Sequence, residues 1–408
     1  MATLEIPTPL PPANPAPPGP AVAPAPRSPG YYVRRRLLQN RPALAGLGFI
    51  LLCALVALLG YWILPDNSPD ANHGLVQLQK AAPGLRVALL RRPRPVAPGE
   101  SHPTILTTWL RGRPADFEEQ AIGGYRFLPG PAGADSVLVL PFAAAHAAVP
   151  GVARRYALTE LAGRAGPHAT LRQLVESQSF TTRTYWLGTD KAGRDELSRL
   201  LLGTRISLGI GLVAGLISML LGMAVGAVAG YFGGWPDSLL LGLMTVVWSI
   251  PGIMLVIAIS LALDSKGVWV SFVAVGLTMW VDVARVVRGQ MLSLRSATFV
   301  EAGRVLGLPT WRLIARHLLP NMRGPLIVLA TSNFAAAILL EAGLSFLGLG
   351  VQPPAPSWGL MVKEGYDLLG TRAGLWLTLL PGAAISLLVL SFNLLGNGLR
   401  DAFDPKGD

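Results

Sequence analysis

Long apolar segments are distributed unevenly along this chain. The first, Ala43–Leu64, carries no charged residue and is about 22 residues long, close to the ~20 that a bilayer core requires. After residue 200 such segments follow one another closely. They are Ser207–Phe232, Ser238–Leu263, Val268–Val287, Gly324–Ala342 and Leu375–Leu394. Length and hydropathy therefore predict an all-α polytopic membrane protein with about six transmembrane helices.

The chain outside these segments is polar and rich in proline and glycine. Residues 1–42 begin with a Pro/Ala-rich stretch that predicts a disordered tail. Residues 65–186 contain short apolar runs, Val87–Leu90, Thr104–Leu110 and Ser136–Pro141, which are too short to cross a bilayer and could form strands. We therefore expect an inserted α+β domain at 65–186.

Charge predicts the orientation. Four arginines between residues 34 and 41 precede the first span, and Asp66 and Asp70 follow it, so the positive-inside rule places the N-terminus in the cytoplasm and the insertion outside. An even number of spans returns the C-terminus to the cytoplasm. Seven arginines between residues 285 and 323 mark a second cytoplasmic loop on the side that parity requires. Arg194, Arg199 and Arg205 disagree, because they precede the second span on the outer side.

Composition narrows the class of protein. Hydrophobic residues make up 51% of the chain and charged residues 14%, against roughly 25% charged in soluble domains. A disordered or nucleic-acid-binding protein is excluded in spite of the net charge of +11. In a membrane protein, excess Lys and Arg mark the cytoplasmic side and contact anionic lipid. The lone Cys53 and five scattered histidines predict no metal site.

Three features of the spans are candidate functional elements. Gly222, Gly226 and Gly230 repeat every four residues on one helix face, which favours close helix packing, or alternatively a moving interface in a gate. Pro251 predicts a kink that either lines a substrate path or is architectural. Glu341 faces a wet cavity, or it reaches the interface from a helix end.

The basic loop shows helical periodicity in two short stretches. The apolar positions are Phe299, Ala302, Gly303 and Leu306 in the first, and Trp311, Ile314, Ala315 and Leu318 in the second. Gly307 can end the first helix as a left-handed cap, and Pro309 can precede a second helix that Pro320 ends. Such a helix–turn–helix between two spans suits docking to a cytosolic partner, and adhesion to the membrane surface suits it equally.

This loop carries a resemblance. The sequence FVEAGRVLG (299–307), followed by HLLPN (317–321), resembles the EAA loop of permease subunits of bacterial ABC importers. More closely, residues 187–405 resemble the dipeptide/oligopeptide/nickel permease family. The supporting motifs are LGTDKAGRD (187–195), GTRISL (203–208), ARVVRGQ (284–290), LSFLGLG (344–350), PSWG (356–359), FNLLG (392–396) and LRDAFDP (399–405).

The resemblance implies an importer permease in the bacterial inner membrane, with its core at 187–408 and a coupling loop at about 288–323. The implied partners are cytosolic ATP-binding subunits docking on 299–320, a second permease chain and an extracytoplasmic solute-binding protein. The implied coupling residues are Glu301, Ala302, Gly303, Arg304, Gly307, His317, Pro320 and Asn321. The sequence contains no G-x-x-x-x-G-K-[ST] motif, so ATP is expected to be hydrolysed on partner subunits, with no cofactor bound here and no enzymatic activity.

Three positions depart from the family pattern. Gly303 stands where the family has Ala, Asn397 stands where it has Asp, and residues 65–186 are longer than the usual connection. Three functions are considered: import of di- or oligopeptides, import of nickel or another small solute, and a membrane anchor or receptor built around 65–186.

Overall fold

The computed structural model describes residues 29–94, 104–129, 135–142, 152–163, 168–264 and 267–404. Its helices are α1 Pro29–Gln39, α2 Arg41–Leu59, α3 Ile105–Arg111, α4 Leu158–Ala162, α5 His168–Gln178, α6 Glu196–Phe232, α7 Gly234–Ser249, α8 Gly252–Ala262, α9 Val268–Leu294, α10 Thr298–Val305, α11 Thr310–Leu313, α12 Leu319–Asn321, α13 Arg323–Phe346, α14 Trp358–Tyr366 and α15 Arg372–Phe403. Its strands are β1 Leu85–Pro93, β2 Phe117–Leu128, β3 Ser136–Pro141, β4 Arg154–Ala157 and β5 Phe180–Tyr185.

Among the described residues, five helices are long and apolar enough to cross a membrane, namely the first span together with α6, α9, α13 and α15. The helix pair α7 and α8 passes the same criterion jointly and makes a sixth candidate span. The predicted all-α polytopic architecture is therefore confirmed.

The third predicted span is broken rather than continuous. Helix α7 ends at Ser249, α8 begins at Gly252, and the two are bent by 94°. Pro251 precedes α8 with an extended ψ of 127°, and its ring nitrogen cannot donate a helical hydrogen bond. The prediction of one helix over 238–263 is wrong, whereas the predicted irregularity at Pro251 is present.

Helix α6 organises the membrane part. At 1.5 Å per residue its 37 residues span about 55 Å, more than a bilayer core. The N-terminal end of α6 is here called the insertion end, because Ser198 Oγ accepts a hydrogen bond from the Asp66 N–H there (2.9 Å). The C-terminal end is called the loop end, because Arg304 Nε lies 3.4 Å from the hydroxyl of Tyr231. The basic loop and the insertion thus lie at opposite ends of one spanning helix, as the predicted parity requires.

The short turn between α6 and α7, residues 233–237, has no basic residue of its own. Its sequence alone therefore lacks the positive charge expected on the cytoplasmic side. The structure supplies the missing charge from α9. Arg288 pairs with Asp237 (Nε···Oδ1 2.5 Å), and Arg295 Nη1 donates to the Gly230 carbonyl (3.4 Å). The turn is therefore neutralised by the same arginines that make the neighbouring loop basic.

The insertion contains a five-stranded antiparallel sheet in the order β4-β3-β2-β1-β5. One core cluster joins the sheet to α4 and α5, and it includes Leu90, Ile122, Val137, Leu161 and Val175. This agrees with the expected α+β domain, and β1 and β3 occupy two of the three runs proposed as strands.

The third run, Thr104–Leu110, is helical instead. Thr104 caps α3 by accepting from the Thr107 N–H (3.3 Å). Trp109 then donates a hydrogen bond to the Leu58 carbonyl, and the Arg205 guanidinium lies 4.4 Å from the centre of the Trp109 ring. These tertiary contacts with the membrane helices outweigh the β propensity of threonine.

The predicted tail is partly ordered. Helix α1 lies within the 1–42 stretch and packs on α15, where Arg36 Nη1 donates to the Asp404 carbonyl (2.6 Å). The prediction of disorder is wrong for residues 29–39, which begin with Pro29 and include the charged run before the first span. Residues 1–28 lie outside the described residues.

The three glycines of α6 mark its closest approach to α9. A Cβ at Gly222 would lie 2.4 Å from the Val283 Cβ, and one at Gly226 would lie 2.4 Å from the Ala284 carbonyl oxygen. A Cβ at Gly230 would lie 2.6 Å from Met291 Cβ. Backbones that approach this closely leave no room for a methyl group, so the glycines form the seam between α6 and α9.

We expect Gly226→Ala to destabilise the protein by about 1–3 kcal/mol, the usual cost of forcing a methyl group into a packed contact. Gly215→Ala is the matched control, because Gly215 is also buried on α6 but has no atom within 4 Å of an added Cβ. Thermal melting in detergent should show a lower Tm for the first variant and an unchanged or higher Tm for the second. Equal melting of the two would contradict the seam.

Candidate functional site

The loop between α9 and α13 forms a compact helical hairpin. Helix α10 ends at Val305, and Gly307 follows with φ +71°, the left-handed geometry that glycine adopts without strain. Pro309 then precedes α11 at Thr310. The hairpin therefore has the helix–turn–helix shape that the periodicity predicts.

The second half of the hairpin contains a π turn. Residues 314–318 form one wide turn in which the Leu319 N–H bonds back to the Ile314 carbonyl. This turn directly precedes Pro320, which cannot donate a helical hydrogen bond. The expectation that Pro320 ends the second helix is wrong, since α12 continues through it to Asn321.

The hairpin buries only part of the predicted apolar face, together with Val300 and Leu313. Val300, Gly303, Leu313 and Leu318 are buried, and a Cβ at Gly303 would lie 2.6 Å from Leu313 Cδ2. Gly303 is therefore explained by the contact between the two arms. Periodicity identifies an apolar face, but it does not say whether the chain itself or a partner covers that face.

Most of the predicted apolar stripe is exposed instead. Of its members, Leu306 is 79% exposed and Trp311 66%, and Val305, which lies next to the stripe, is 87% exposed. These three residues, which flank the turn at Gly307, are called the hairpin patch below. Apolar residues on an aqueous loop are a common mark of an interaction site when they cluster in this way.

The residues carried over from the family motif lie around this patch. Those that are exposed are Glu301, Ala302, Arg304, Gly307 and Asn321; those that are half-buried are His317 and Pro320. The Arg304 guanidinium lies 5.2 Å from the centre of the Tyr231 ring, which holds α10 against the loop end of α6. Glu301 has no hydrogen bond or ion pair within the described part of the chain.

Glu341 is buried rather than exposed at a helix end. It is 1% exposed within α13 and accepts a hydrogen bond from Ser345 Oγ (2.7 Å). Ser345 Oγ in turn accepts from the Val351 N–H (3.1 Å) and lies 3.4 Å from Ser357 Oγ. Glu341 therefore faces a hydroxyl cluster beneath the N-terminus of α14.

A buried charge network at the insertion end was not predicted. Arg194 Nε lies 2.6 Å from Asp190 Oδ2, and Arg194 Nη2 lies 3.1 Å from Glu364 Oε1. Arg199 lies 3.4 Å from each of the same two carboxylates. The network joins the entry of α6 to α14. It reaches the insertion through the hydrogen bond of Arg194 Nη1 to Asn72 (3.1 Å).

The network explains two of the three arginines that disagreed with the predicted orientation. Arg194 and Arg199 are buried and paired with carboxylates, so they are not free positive charges that would be drawn to the cytoplasmic side. Beside them, burial raises the pKa of Asp195, although hydrogen bonds from the Ser198 N–H and hydroxyl oppose the rise. The Asp195 carboxylate caps the N-terminus of α6 by accepting a hydrogen bond from the Ser198 N–H (2.8 Å).

Comparisons with known proteins match both membrane parts of the chain. Residues 222–407 match the binding-protein-dependent transport system inner membrane component family, and residues 28–83 match the N-terminal transmembrane domain of oligopeptide transport permease C. Most of the inserted sheet domain lies between these two regions.

The chain is similar to several named permeases. It is 41% identical to the dipeptide transport system permease protein DppC of Bacillus subtilis over 241 residues, which is 59% of this chain and 75% of that protein. It is 43% identical to the oligopeptide transport system permease protein OppC of Escherichia coli K12, over 54% of this chain and 72% of that protein. The glutathione transport system permease protein GsiD of Pectobacterium atrosepticum is 41% identical, over 54% and 73%.

Among solved structures, an inward-facing MetNI methionine ABC transporter aligns with a TM-score of 0.43 at 19% identity, over 51% of this chain and 97% of that one. A likeness at this level adds nothing to the sequence relationship.

The spans, the broken helix and the hairpin define a multi-pass membrane transport subunit. The chain belongs to the family of inner-membrane components of binding-protein-dependent transport systems, the permeases of ABC importers. The resemblance stated from its motifs is thereby confirmed. As a member of this family the chain is a transport subunit and not an enzyme.

Proposed function

We propose that this chain is the permease subunit of an ATP-driven importer that moves di- or oligopeptides into a bacterial cell. The relatives described above are named for dipeptide, oligopeptide and glutathione transport, which supports peptides over nickel. The proposed units are a membrane helix at 43–64, an inserted domain at 65–186 and a permease core at 187–408.

The proposed orientation places both termini, with α1 and the hairpin, in the cytoplasm. Arg34 and Arg35 on α1 are exposed, and they belong with the arginines of the hairpin on the side that favours positive charge and anionic lipid. The insertion and the network around Glu364 then lie outside the cytoplasm, where an extracytoplasmic solute-binding protein would deliver substrate.

The hairpin patch is the observation that supports the coupling role. It presents exposed apolar side chains next to the unpaired carboxylate of Glu301, on an arm that runs directly into α9 and α13. Cytosolic ATP-binding subunits are proposed to dock there, and a second permease chain is proposed to complete the pore. The chain has no phosphate loop of its own, so ATP would be used by those partners.

The packing suggests how movement would travel. Closure of the ATP-binding subunits would displace the hairpin, and α9 would carry the displacement to α6 through the glycine seam. The break at Pro251 would let α7 and α8 change their mutual angle while the long helices stay rigid. Such a switch requires each ligand to bind the inward and outward states with different affinity.

The test is Glu301→Lys in the reconstituted importer complex. We expect peptide uptake and peptide-stimulated ATPase activity to fall to near background while the variant still reaches the membrane, because the reversed charge alters the docking surface and not the fold. Glu176→Lys is the matched control, since Glu176 is an exposed helical glutamate of the insertion, and it should transport normally. Normal uptake by Glu301→Lys would overturn the coupling assignment.

A further inference from the structure

A polar cluster lies beside the break of the third span. Asp282 is an exposed residue in the middle of the 27-residue helix α9. Its Oδ1 accepts a hydrogen bond from Trp248 Nε1 at 3.2 Å, and the Arg285 guanidinium lies 4.5 Å from the centre of the same indole ring. Trp248, Asp282 and Arg285 are called the break cluster below.

The cluster lies within a candidate membrane span, away from the loop end of that span. The Asp237–Arg288 ion pair marks the loop end of α6, α7 and α9. Asp282 precedes Arg288 by six positions, which places it about 9 Å further along the helix from that end. Asp282 and Arg285 lie near the end of the predicted span Val268–Val287. Because α9 continues to Leu294, both residues lie further from the end of the helix than the predicted span placed them.

The carboxylate of Asp282 forms no ion pair with the residues that the structure describes. Within the described residues no Lys, Arg or His lies within ion-pair distance of its carboxylate, and Arg285 stacks on the indole instead. Acidic residues inside a span face a water-filled cavity or another protein surface, because exposure to lipid is costly. The exposed face of α9 at Asp282 is therefore not a lipid-facing surface.

The neighbouring backbone leads to the same conclusion independently. The span is interrupted between the end of α7 and the start of α8. The four residues at this break are all exposed, namely Ser249, Ile250, Pro251 and Gly252. Irregular backbone at membrane depth is tolerated where it is covered by protein or lines a water-filled cavity, since lipid cannot satisfy its polar groups. The broken backbone and the carboxylate are beside each other, so one aqueous path would accommodate both.

We propose that the break cluster lines the substrate path and that Asp282 binds the ammonium group of the passing peptide. This inference rests on the function proposed above. Every unmodified peptide carries an N-terminal ammonium group whatever its sequence, so one carboxylate can serve varied substrates. The Trp248 indole N–H bonds one oxygen of the Asp282 carboxylate, and the face of the indole ring holds the Arg285 guanidinium. The second oxygen of the carboxylate is therefore left for a cation.

The lone native cysteine makes this testable with thiol chemistry. In a Cys53→Ala background, Val286→Cys places one thiol a helical turn from Asp282, on the same face and at an exposed position. The assembled complex in proteoliposomes is treated with membrane-impermeant methanethiosulfonate reagents that carry either an ammonium or a sulfonate group. Leu216→Cys, on the exposed apolar stripe of α6, is the control for reagent access from lipid.

We expect position 286 to react and position 216 to remain unmodified. After normalisation to a free thiol, the cationic reagent should react faster at 286 by on the order of tenfold, because the carboxylate concentrates cations. Asp282→Asn should remove this preference, and a peptide with a free N-terminus should protect the thiol.

Two results would overturn the inference. One is a thiol at 286 that reacts with neither reagent in any nucleotide state, as expected if a second permease subunit covers Asp282. The other is a charge preference that Asp282→Asn leaves unchanged. ATPase activity stimulated by binding protein and peptide is measured in the same proteoliposomes. If the ATPase activity is stimulated and either negative result is obtained, only the proposed role of the break cluster is rejected. If the parent protein shows no stimulated ATPase activity, the proposed function is rejected as well.

Discussion

Replacing Arg199 with methionine should strongly destabilise the protein, by about 3–5 kcal/mol, the usual cost of removing one partner from a buried ion pair. Arg199 is fully buried and lies 3.4 Å from both Asp190 and Glu364. Methionine retains the apolar stem but leaves the two buried carboxylates with Arg194 and the half-exposed Lys191 as their remaining partners. We expect a large fall in Tm in detergent and in the amount of protein in the membrane.

Lys191→Met is the matched control for this variant. Lys191 also pairs with Glu364, at 3.6 Å, but its side chain is 45% exposed, and exposed pairs contribute at most about 1 kcal/mol. Its Tm should change little. If the Arg199→Met variant has the same Tm as the wild-type protein, the network is not what fixes α14 to the entry of α6.

Val305→Asp should abolish the association of this chain with its ATP-binding subunits. A charge would then occupy the most exposed apolar residue of the hairpin patch, and burying it against a partner without a compensating cation is unfavourable. Because Val305 already faces solvent, the fold itself should be unaffected. Affinity purification from mild detergent should recover the variant in normal amount without the ATPase, and peptide uptake should be lost.

Val76→Asp provides the same chemistry at the other end of the molecule. Val76 lies within the insertion and is 73% exposed, so its substitution should leave the ATPase attached. Loss of the ATPase from both variants would indicate a general folding defect, and retention in both would show that the hairpin patch is not the docking surface.

Sequence predicted the membrane architecture well because hydrophobic length is a local property. Five of the six long apolar runs correspond to single spanning helices, and the sixth corresponds to the bent pair α7 and α8. Pro251 marks the break because the missing N–H acts within one helical turn. The ends of the spans were less predictable. Helix α6 begins at Glu196, eleven positions before the predicted start at Ser207, because Arg199 is neutralised by Glu364, 165 residues further along the chain.

The same limit applies to the candidate sites. The family motif indicated the hairpin, and local periodicity indicated its two helices, but the covered face depends on the contact between Gly303 and Leu313. Asp282 and Arg285 lie inside the predicted span Val268–Val287, but their charges show no functional site by themselves. Their role in the break cluster becomes visible only when Trp248 of another helix is placed beside them.

The central claim is that this chain works as the membrane subunit of an ATP-driven importer. Purification of the intact chain from its native membrane in mild detergent, with the co-purified proteins identified by mass spectrometry, tests it most directly. We expect an ATP-binding subunit and a second permease chain in the complex. Recovery of this chain alone, even after cross-linking in the membrane, would contradict the claim and favour an anchor or receptor built around residues 65–186.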